Sequence, residues 1–266
     1  MSDTAAMKTQ AWGGLSKRGR ERLIGAASPI VLLVLWEVCA RFGVIDTRFF
    51  PAPSQIIRTL FTMIQSGELQ VHLMASLQRL GLGFLTGGIP ALIIGVVMGL
   101  NSTIRAMIDP LISATYPIPK SSILPLALLV LGLGEASKVF MVAIGVFYPV
   151  AMNAMTGVRQ INSIYLDVGH NFKASRFDIF RTIALPGAMP MIMTGIRLGV
   201  GMGLVLIAIA EMVGARSGLG FLIWNAWETF SVEQMYVGLF VIALIGFVLT
   251  VIVNEIEKIL VPWRNE

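Results

Sequence analysis

The stretch MYVGLFVIALIGFVLTVIV, residues 235–253, decides the structural class of this protein. Its 19 residues include no charged side chain, and a helix needs about 20 apolar residues to cross about 30 Å of hydrocarbon. The stretch shows no alternation of apolar and polar residues, which disfavours a strand of a membrane barrel. Only helices and closed barrels satisfy their backbone groups in lipid. The stretch therefore predicts a transmembrane helix.

Further apolar blocks of similar length precede this stretch. Only 13% of the residues are charged, about half the share of a soluble domain. We therefore predict an all-α, polytopic integral membrane protein with six transmembrane helices. The predicted spans are 23–42, 77–100, 110–133, 139–157, 192–213 and 235–253. The predicted domains are a tail over residues 1–22 and a single transmembrane domain over residues 23–266, with a core at about 72–254.

The basic residues predict the orientation. A basic stretch precedes the first apolar block, but the block is long and no small-residue cleavage site follows, so we expect a retained span. If the N-terminus is cytoplasmic, thirteen of the twenty basic residues lie on the cytoplasmic side, which places both termini inside. These residues are Lys8, Lys17, Arg18, Arg20, Arg22, Arg105, Arg159, Lys173, Arg176, Arg181, Arg197, Lys258 and Arg264.

The sequence shows no motif or cluster of residues typical of a catalytic site. It has no GxxxxGK[ST] phosphate loop, so the chain cannot hydrolyse ATP by that route. The two histidines lie far apart, and the single cysteine, Cys39, has no zinc-like spacing around it. The net charge of +5 comes from basic residues between apolar blocks rather than from an aromatic-interleaved patch, so we expect no binding of nucleic acid. We predict no catalytic residue, no metal site and no cofactor in this chain.

A polar insertion at residues 157–190 interrupts the apolar blocks on the predicted cytoplasmic side. Its charged residues alternate with apolar ones, which predicts two short helices with a turn near residues 170–173. We expect the insertion to end at residues 184–186, where Pro186 begins the next helix. Such a structured insertion is a docking surface for another protein; the alternative is a plain amphipathic hairpin in the membrane interface.

The insertion resembles the cytoplasmic coupling motif of ABC importer permeases. That motif runs Glu-Ala-Ala, three residues, Gly, nine residues and Ile-x-Leu-Pro, and residues 183–186, IALP, match its end. Asp167 then aligns with the glutamate, Gly169 with the second alanine and Lys173 with the glycine. Further matching stretches run from about residue 50 to the C-terminus and resemble the nitrate/sulfonate/taurine/bicarbonate subgroup. They include PAPSQI, PIPKSSILPLALLVLGLGEASKVF and AEMVGARSGLGFLIWNA.

The chain departs from the motif at two positions. Asp167 is a shorter acid than glutamate, and Lys173 replaces a glycine. If that position takes a positive φ, a lysine there costs on the order of 1 kcal/mol.

The resemblance implies the fold of a type I ABC importer permease and an importer of a small anion in the bacterial inner membrane. Two cytoplasmic ATPase subunits, which bind ATP and Mg, would dock on the insertion, a binding protein would deliver substrate outside, and a second permease copy would complete the pathway. The implied docking residues are Asp167, Gly169, Phe172, Lys173, Ala174, Ser175, Arg176, Leu185 and Pro186.

The pathway itself is less well marked in the sequence. Arg197 and Glu211 are candidates because ionisable residues within spans often face a pathway or a partner, although an interfacial position explains each equally well. Arg79 is expected to snorkel from one end of its span. The prolines at 117, 119, 125 and 149 indicate either helices around a pathway or irregular packing. A self-contained secondary transporter or channel and an intramembrane enzyme are the alternative functions.

Overall fold

The computed structural model describes residues 17–264, with the side chains except those at 17–24, 26, 166, 170, 176 and 264. The predicted tail over residues 1–22 lies mostly outside this range. The described residues form helices and connecting loops without a strand, which confirms the all-α prediction. The chain divides into two compact units, one up to Arg58 and one from Thr59 onward. The single domain predicted over residues 23–266 stays a prediction.

Eleven α-helices follow one another in the described part of the chain. They are α1 Lys17–Arg41, α2 Pro53–Ser66, α3 Glu68–Leu100, α4 Ser102–Thr115, α5 Leu124–Leu131, α6 Glu135–Arg159, α7 Ser163–Asn171, α8 Arg176–Ile179, α9 Leu185–Met212, α10 Leu219–Glu228 and α11 Val232–Leu260. Two short 3₁₀ segments, Lys120–Ile123 and Pro262–Arg264, and one π-helical segment, Phe180–Ala184, complete the order.

Among the described residues, four helices are long and apolar enough to cross a membrane: α3, α6, α11 and the helix at Phe177–Met212. A fifth span results if the bent pair of α4 and the segment Lys120–Leu131 counts as one. Helix α1 overlaps the first predicted span, residues 23–42, but is not one of these four helices. The predicted number of six is not confirmed and stays a prediction.

The third predicted span, residues 110–133, consists of separate helical segments rather than one continuous helix. It is bent by 89° between Thr115 and Lys120. Pro117 and Pro119 lie in the break. A proline has no amide hydrogen and disfavours the helical conformation of the residue before it, so two prolines in one turn end the helix.

A stripe of small residues joins α3 to α6. An ideal Cβ at Gly87 would lie 2.2 Å from the carbonyl oxygen of Ala143, and one at Gly95 would lie 2.4 Å from that of Ala151. Residues four apart on a helix share one face, and small residues at this spacing let two membrane helices approach closely. The stripe consists of Gly83, Gly87, Ala91, Gly95 and Gly99.

Pro186 lies in the first turn of α9, as predicted, but no break separates α9 from the second limb of the insertion. Residues Phe177–Met212 run as one helix of 36 residues. Its π-helical segment lies directly before the proline, and there the amide of Leu185 donates to the carbonyl of Phe180. This wider turn accommodates a proline, which lacks a donor and crowds the preceding turn. The second limb of the insertion is therefore continuous with a span.

We expect Gly87→Ala to destabilise the protein by about 1–3 kcal/mol because the added methyl group overpacks the contact with α6. Gly81→Ala is the matched control, since nothing lies within 4 Å of a Cβ at Gly81 on the same helix. The midpoint of thermal aggregation in detergent compares the two variants. Equal midpoints would contradict the tight α3–α6 contact.

Candidate functional site

The insertion folds as a hairpin of α7 and α8 with a sharp turn, which confirms the predicted pair of helices. Helix α7 ends at Asn171, and Lys173 takes a φ of +53°. The amide of Ala174 donates to the carbonyl of Gly169 at 3.0 Å. This bond and the left-handed residue before it form a Schellman turn, in which glycine is the usual residue at the left-handed position. Lys173 therefore occupies the backbone conformation that the motif glycine would favour.

Ser175 begins the second limb of the hairpin. The Ser175 hydroxyl accepts from the amide of Asp178 at 3.2 Å, and the Asp178 carboxylate accepts from the Ser175 amide at 3.2 Å and from its hydroxyl at 2.5 Å. This reciprocal arrangement is a capping box with an aspartate as its acid. It satisfies amides at the start of α8 that have no partner inside the helix.

Gly169 brings the two limbs of the hairpin together. An ideal Cβ there would lie 3.1 Å from Ile179 Cγ1 and 3.1 Å from Ile183 Cδ1. The side chain of Ile179 is buried. A larger residue at position 169 would push α7 away from α8, so the match of this position to a small residue of the motif has a packing reason.

The outer face of the hairpin is apolar. Phe172 is 83% exposed, although a phenyl ring normally lies inside a protein. Four other large apolar side chains, also exposed, lie within fourteen residues of one another in the same hairpin. We call these residues the hairpin patch: Ile164, Tyr165, Val168, Phe172 and Phe177.

The remaining predicted docking residues lie around this patch. Asp167 is exposed, and Ala174 is partly exposed in the turn. The side chain of Arg176 lies outside the described residues. Leu185 and Pro186 are half-buried at the base of the hairpin, where Pro186 and Trp263 line an open groove of about 500 Å³.

A cluster of polar side chains lies at the ends of the long helices that are farthest from the hairpin. Glu211, near the end of α9, is fully buried. Its carboxylate accepts hydrogen bonds from the Ser76 hydroxyl at 2.8 Å and from the Gly220 amide at 3.0 Å, and it pairs with Arg79 at 2.8 Å. An ideal Cβ at Gly218, whose φ is +120°, would lie 2.2 Å from the Glu211 carboxyl carbon. Because the Glu211 carboxylate fills the space of a side chain at position 218, the first glycine of the sequence SGLG cannot be replaced without moving that carboxylate.

Arg79 does not snorkel to the membrane surface, and that expectation is wrong. Its side chain is 5% exposed. Besides Glu211 it pairs with Glu135 at 2.5 Å and donates to the carbonyl of Ser217 at 2.6 Å. Because a guanidinium has five donors in one plane, it can bind two carboxylates and a carbonyl together. The cluster therefore joins α3, α6 and α9 to the loop before α10.

The sequence offered little evidence for this cluster, because 132 residues separate Arg79 from Glu211. The other pathway candidate, Arg197, forms a short ion pair with Glu257 of α11. Both candidates are thus bound to other helices, and their role in the pathway stays a prediction. Within the described residues, no group of three or more His, Cys, Asp or Glu side chains could hold a metal ion.

Sequence comparisons assign most of the chain to one family of transporters. Residues 91–266 match the family of binding-protein-dependent transport system inner membrane components. The chain is 33% identical over 252 residues to the taurine transport system permease protein TauC of Escherichia coli K12, covering 93% of this chain and 92% of TauC. It is 31% identical to the putative aliphatic sulfonates transport permease SsuC of Bacillus subtilis, covering 97% and 95%. The nitrate import permease NrtB of Synechocystis is 28% identical, covering 89% and 88%.

A solved structure shares the fold. A chain of the MetNI methionine ABC transporter, crystallised in inward-facing conformations, matches with a TM-score of 0.58 and 14% identity. The match covers 72% of this chain and 97% of that chain. The predicted type I permease fold is thereby supported at the level of the backbone.

We expect Glu211→Gln to lower stability by about 3 kcal/mol or more, because it leaves the buried charge of Arg79 with weaker compensation. The matched variant is Glu135→Gln. It removes the second carboxylate that pairs with Arg79, and the Glu135 side chain is 68% exposed. This second loss should stay below about 1 kcal/mol. Thermal unfolding in detergent measures both variants. Equal losses would show that the burial of Glu211 is not what makes its ion pair important.

Proposed function

The chain belongs to the family of binding-protein-dependent transport system inner membrane components, and we propose that it forms the pathway of an importer of a small oxyanion. It is the permease component of an ATP-driven importer in a bacterial inner membrane. Membership of this family disfavours the alternative of a self-contained secondary transporter or channel. The transporter class is shared by all the relatives described above.

The names of the relatives guide the choice of substrate. The relatives described above are named for the transport of taurine, aliphatic sulfonates and nitrate. These substrates share a compact, delocalised oxyanion group. We infer a substrate of this chemical class, a sulfonate, nitrate, bicarbonate or a related organic acid.

The proposed assembly contains two permease copies, two ATPase subunits and one binding protein. The ATPase subunits hold ATP and Mg, and the permease binds no cofactor of its own. Both termini and the hairpin face the cytoplasm, and the binding protein docks on the opposite side. Placement of the hairpin on the cytoplasmic side agrees with its basic residues Lys173 and Arg181.

The hairpin patch is the observation that carries the proposed docking. Five large apolar side chains exposed in one hairpin form a surface of the kind that marks protein interfaces. Large aromatic anchors supply most of the binding energy of such interfaces. The Schellman turn and the capping box fix the backbone beneath the patch, which lowers the entropic cost of binding.

Continuity between the hairpin and α9 supports a mechanism for coupling. Closure of an ATPase dimer on ATP would displace the docked hairpins. The second limb of each hairpin shares one helix with residues up to Met212, so a displacement is passed to the span without an intervening loop. Alternating access then follows from rigid-body movement of the helices.

We expect Phe172→Ser to weaken association with the ATPase by about 2 kcal/mol or more, a loss typical of an interface anchor. Phe61→Ser is the control, since Phe61 is 59% exposed but lies in α2, on the predicted outer side. Asp167→Lys should also weaken association, because it reverses the charge beside the patch. Co-purification of the ATPase and ATP hydrolysis stimulated by the binding protein measure the effect. Full co-purification of the Phe172→Ser and Asp167→Lys variants would refute docking at this hairpin.

Lys173 allows a test that separates backbone strain from charge. Lys173→Gly removes both the side chain and the strain of a positive φ, on the order of 1 kcal/mol, whereas Lys173→Ala removes the charge and keeps the strain. If the lysine has no contact with the ATPase, the glycine variant should couple as well as the wild type or slightly better, and the alanine variant should match the wild type. Equal losses of ATPase affinity in both variants would instead identify Lys173 as a contact that replaces the motif glycine.

A further inference from the structure

The break between α4 and α5 contains a buried cation. Lys120 is 9% exposed, and its ammonium group donates to the carbonyl of Thr115 at 2.9 Å and to that of Tyr116 at 3.0 Å. It also lies 3.9 Å from the centre of the Tyr148 ring, within the range of a cation–π contact. Lys120 thus satisfies the final carbonyls of α4 where the prolines end that helix.

Tyr148 gives the depth of this lysine in the membrane. Tyr148 is residue 14 of the 25 in α6. At 1.5 Å per residue it lies about 20 Å from one end of that helix and about 17 Å from the other. Lys120 therefore lies near the middle of the bilayer, where a cation is costly and usually functional.

Lys138 provides a comparison within the same molecule. Its ammonium group also binds two carbonyls, those of Leu133 and Gly134. Lys138 lies at the start of α6, three residues after Glu135 and close to the carboxylates of the polar cluster. Neither lysine forms an ion pair among the described residues. Glu135 and Glu211 nevertheless act electrostatically on Lys138, whereas no carboxylate in the described part of the chain acts on Lys120 in this way. Among the described residues, the positive charge of Lys120 is compensated by the dipoles of two carbonyls and by the rings of Tyr148 and Tyr116.

The surface of the break combines irregular backbone and two serines with the larger exposed side chains of Tyr116 and Ile118. Residues 116–119 and both Ser121 and Ser122 are exposed. Irregular backbone at membrane depth is tolerated only where protein covers it or where it lines a water-filled cavity. The break therefore does not face the hydrocarbon of the lipid, and the cation lies directly beneath a surface that water or a second protein chain must cover.

We propose that the break at residues 116–122 lines the translocation pathway and that Lys120 supplies the positive potential that draws an oxyanion to its midpoint. This inference rests on the proposed function, because it requires the chain to form a pathway for an anion. Lysine and arginine side chains line anion-selective pores in this way, and discontinuous helices at the midplane commonly form transport sites. In a pair of permease copies, two such lysines would lie along one pathway.

Thiol labelling tests this proposal without knowledge of the substrate. Cys39 is the only cysteine, so Cys39→Ser gives a background without thiols. Single cysteines are then placed at Ser121, at Ser122 and, as the control, at Phe247, which is 67% exposed near the middle of the continuous helix α11. The assembled transporter in proteoliposomes is treated with an anionic sulfonatoethyl and a cationic trimethylammonioethyl methanethiosulfonate, both without nucleotide and after trapping with ATP and vanadate.

We expect both serine positions to react in at least one state and Phe247→Cys to react in neither. Relative to free 2-mercaptoethanol, the ratio of anionic to cationic rates at Ser121→Cys should favour the anion. Lys120→Met should lower this ratio about seven-fold, as expected for a unit charge about 7 Å away in a watery site, and Lys120→Arg should keep it. If Lys120→Met fails to fold, raising the salt from about 0.01 M to about 1 M should lower the wild-type ratio by a similar factor.

Two results would overturn the proposal. The first is a lack of labelling at both serine positions in both states, which would mean that the break is covered by protein. The second is a rate ratio that neither Lys120→Met nor high salt changes. These rates do not depend on docking at the hairpin, so a Phe172→Ser permease should give the same ratio without nucleotide, and the two proposals can fail separately.

Discussion

A backbone amide or carbonyl in hydrocarbon has no water to bind, and this constraint determines where the helices of this protein can break. Two buried lysines therefore bind carbonyls that interruptions of the helices leave free in the described part of the chain. Lys120 binds the free carbonyls at the end of α4, and Lys138 binds those of the loop before α6. At Pro186 the chain takes a different solution, a π-helical turn that keeps the helix continuous where an amide donor is missing. The proposed pathway and the proposed coupling segment both lie at such positions.

Charged side chains buried inside the bundle also need partners, and several helices supply them. Arg79 is buried because two carboxylates, a serine hydroxyl and a carbonyl surround it. An ion pair of this kind contributes little net stability compared with apolar packing, but breaking it is costly. Its effect is therefore mainly to fix one arrangement of α3, α6 and α9. At the membrane midplane, Lys120 has no such carboxylate among the described residues, and this difference distinguishes a charge that stabilises packing from one that can act on a solute.

The sequence predicted the features that depend on local patterns. Apolar blocks identified the helices, and the motif at residues 167–186 identified the hairpin and the unusual position of Lys173, which takes the positive φ that its alignment with a glycine implied. Contacts between distant residues could not be read in the same way. The pair of Arg79 and Glu211 joins residues far apart in the chain, so the snorkelling expected from local sequence was wrong. Two other features are visible in the sequence. The glycines spaced by four in α3 indicate a close contact with another helix, and the prolines at 117 and 119 indicate the bend.

The long helix of residues 177–212 connects the hairpin to the polar cluster around Glu211. At 1.5 Å per residue its 36 residues span about 54 Å, with the hairpin turn at one end and Glu211 at the other. Side chains in a packed interior have two or a few discrete arrangements rather than a continuous range. Because Glu211 ties the far end of this helix to α3 and α6, and the glycine stripe ties α3 to α6 along their length, a force on the hairpin cannot bend one helix alone. In the proposed coupling mechanism it would move the three helices together, along with the break at Lys120, which packs on Tyr148 of α6.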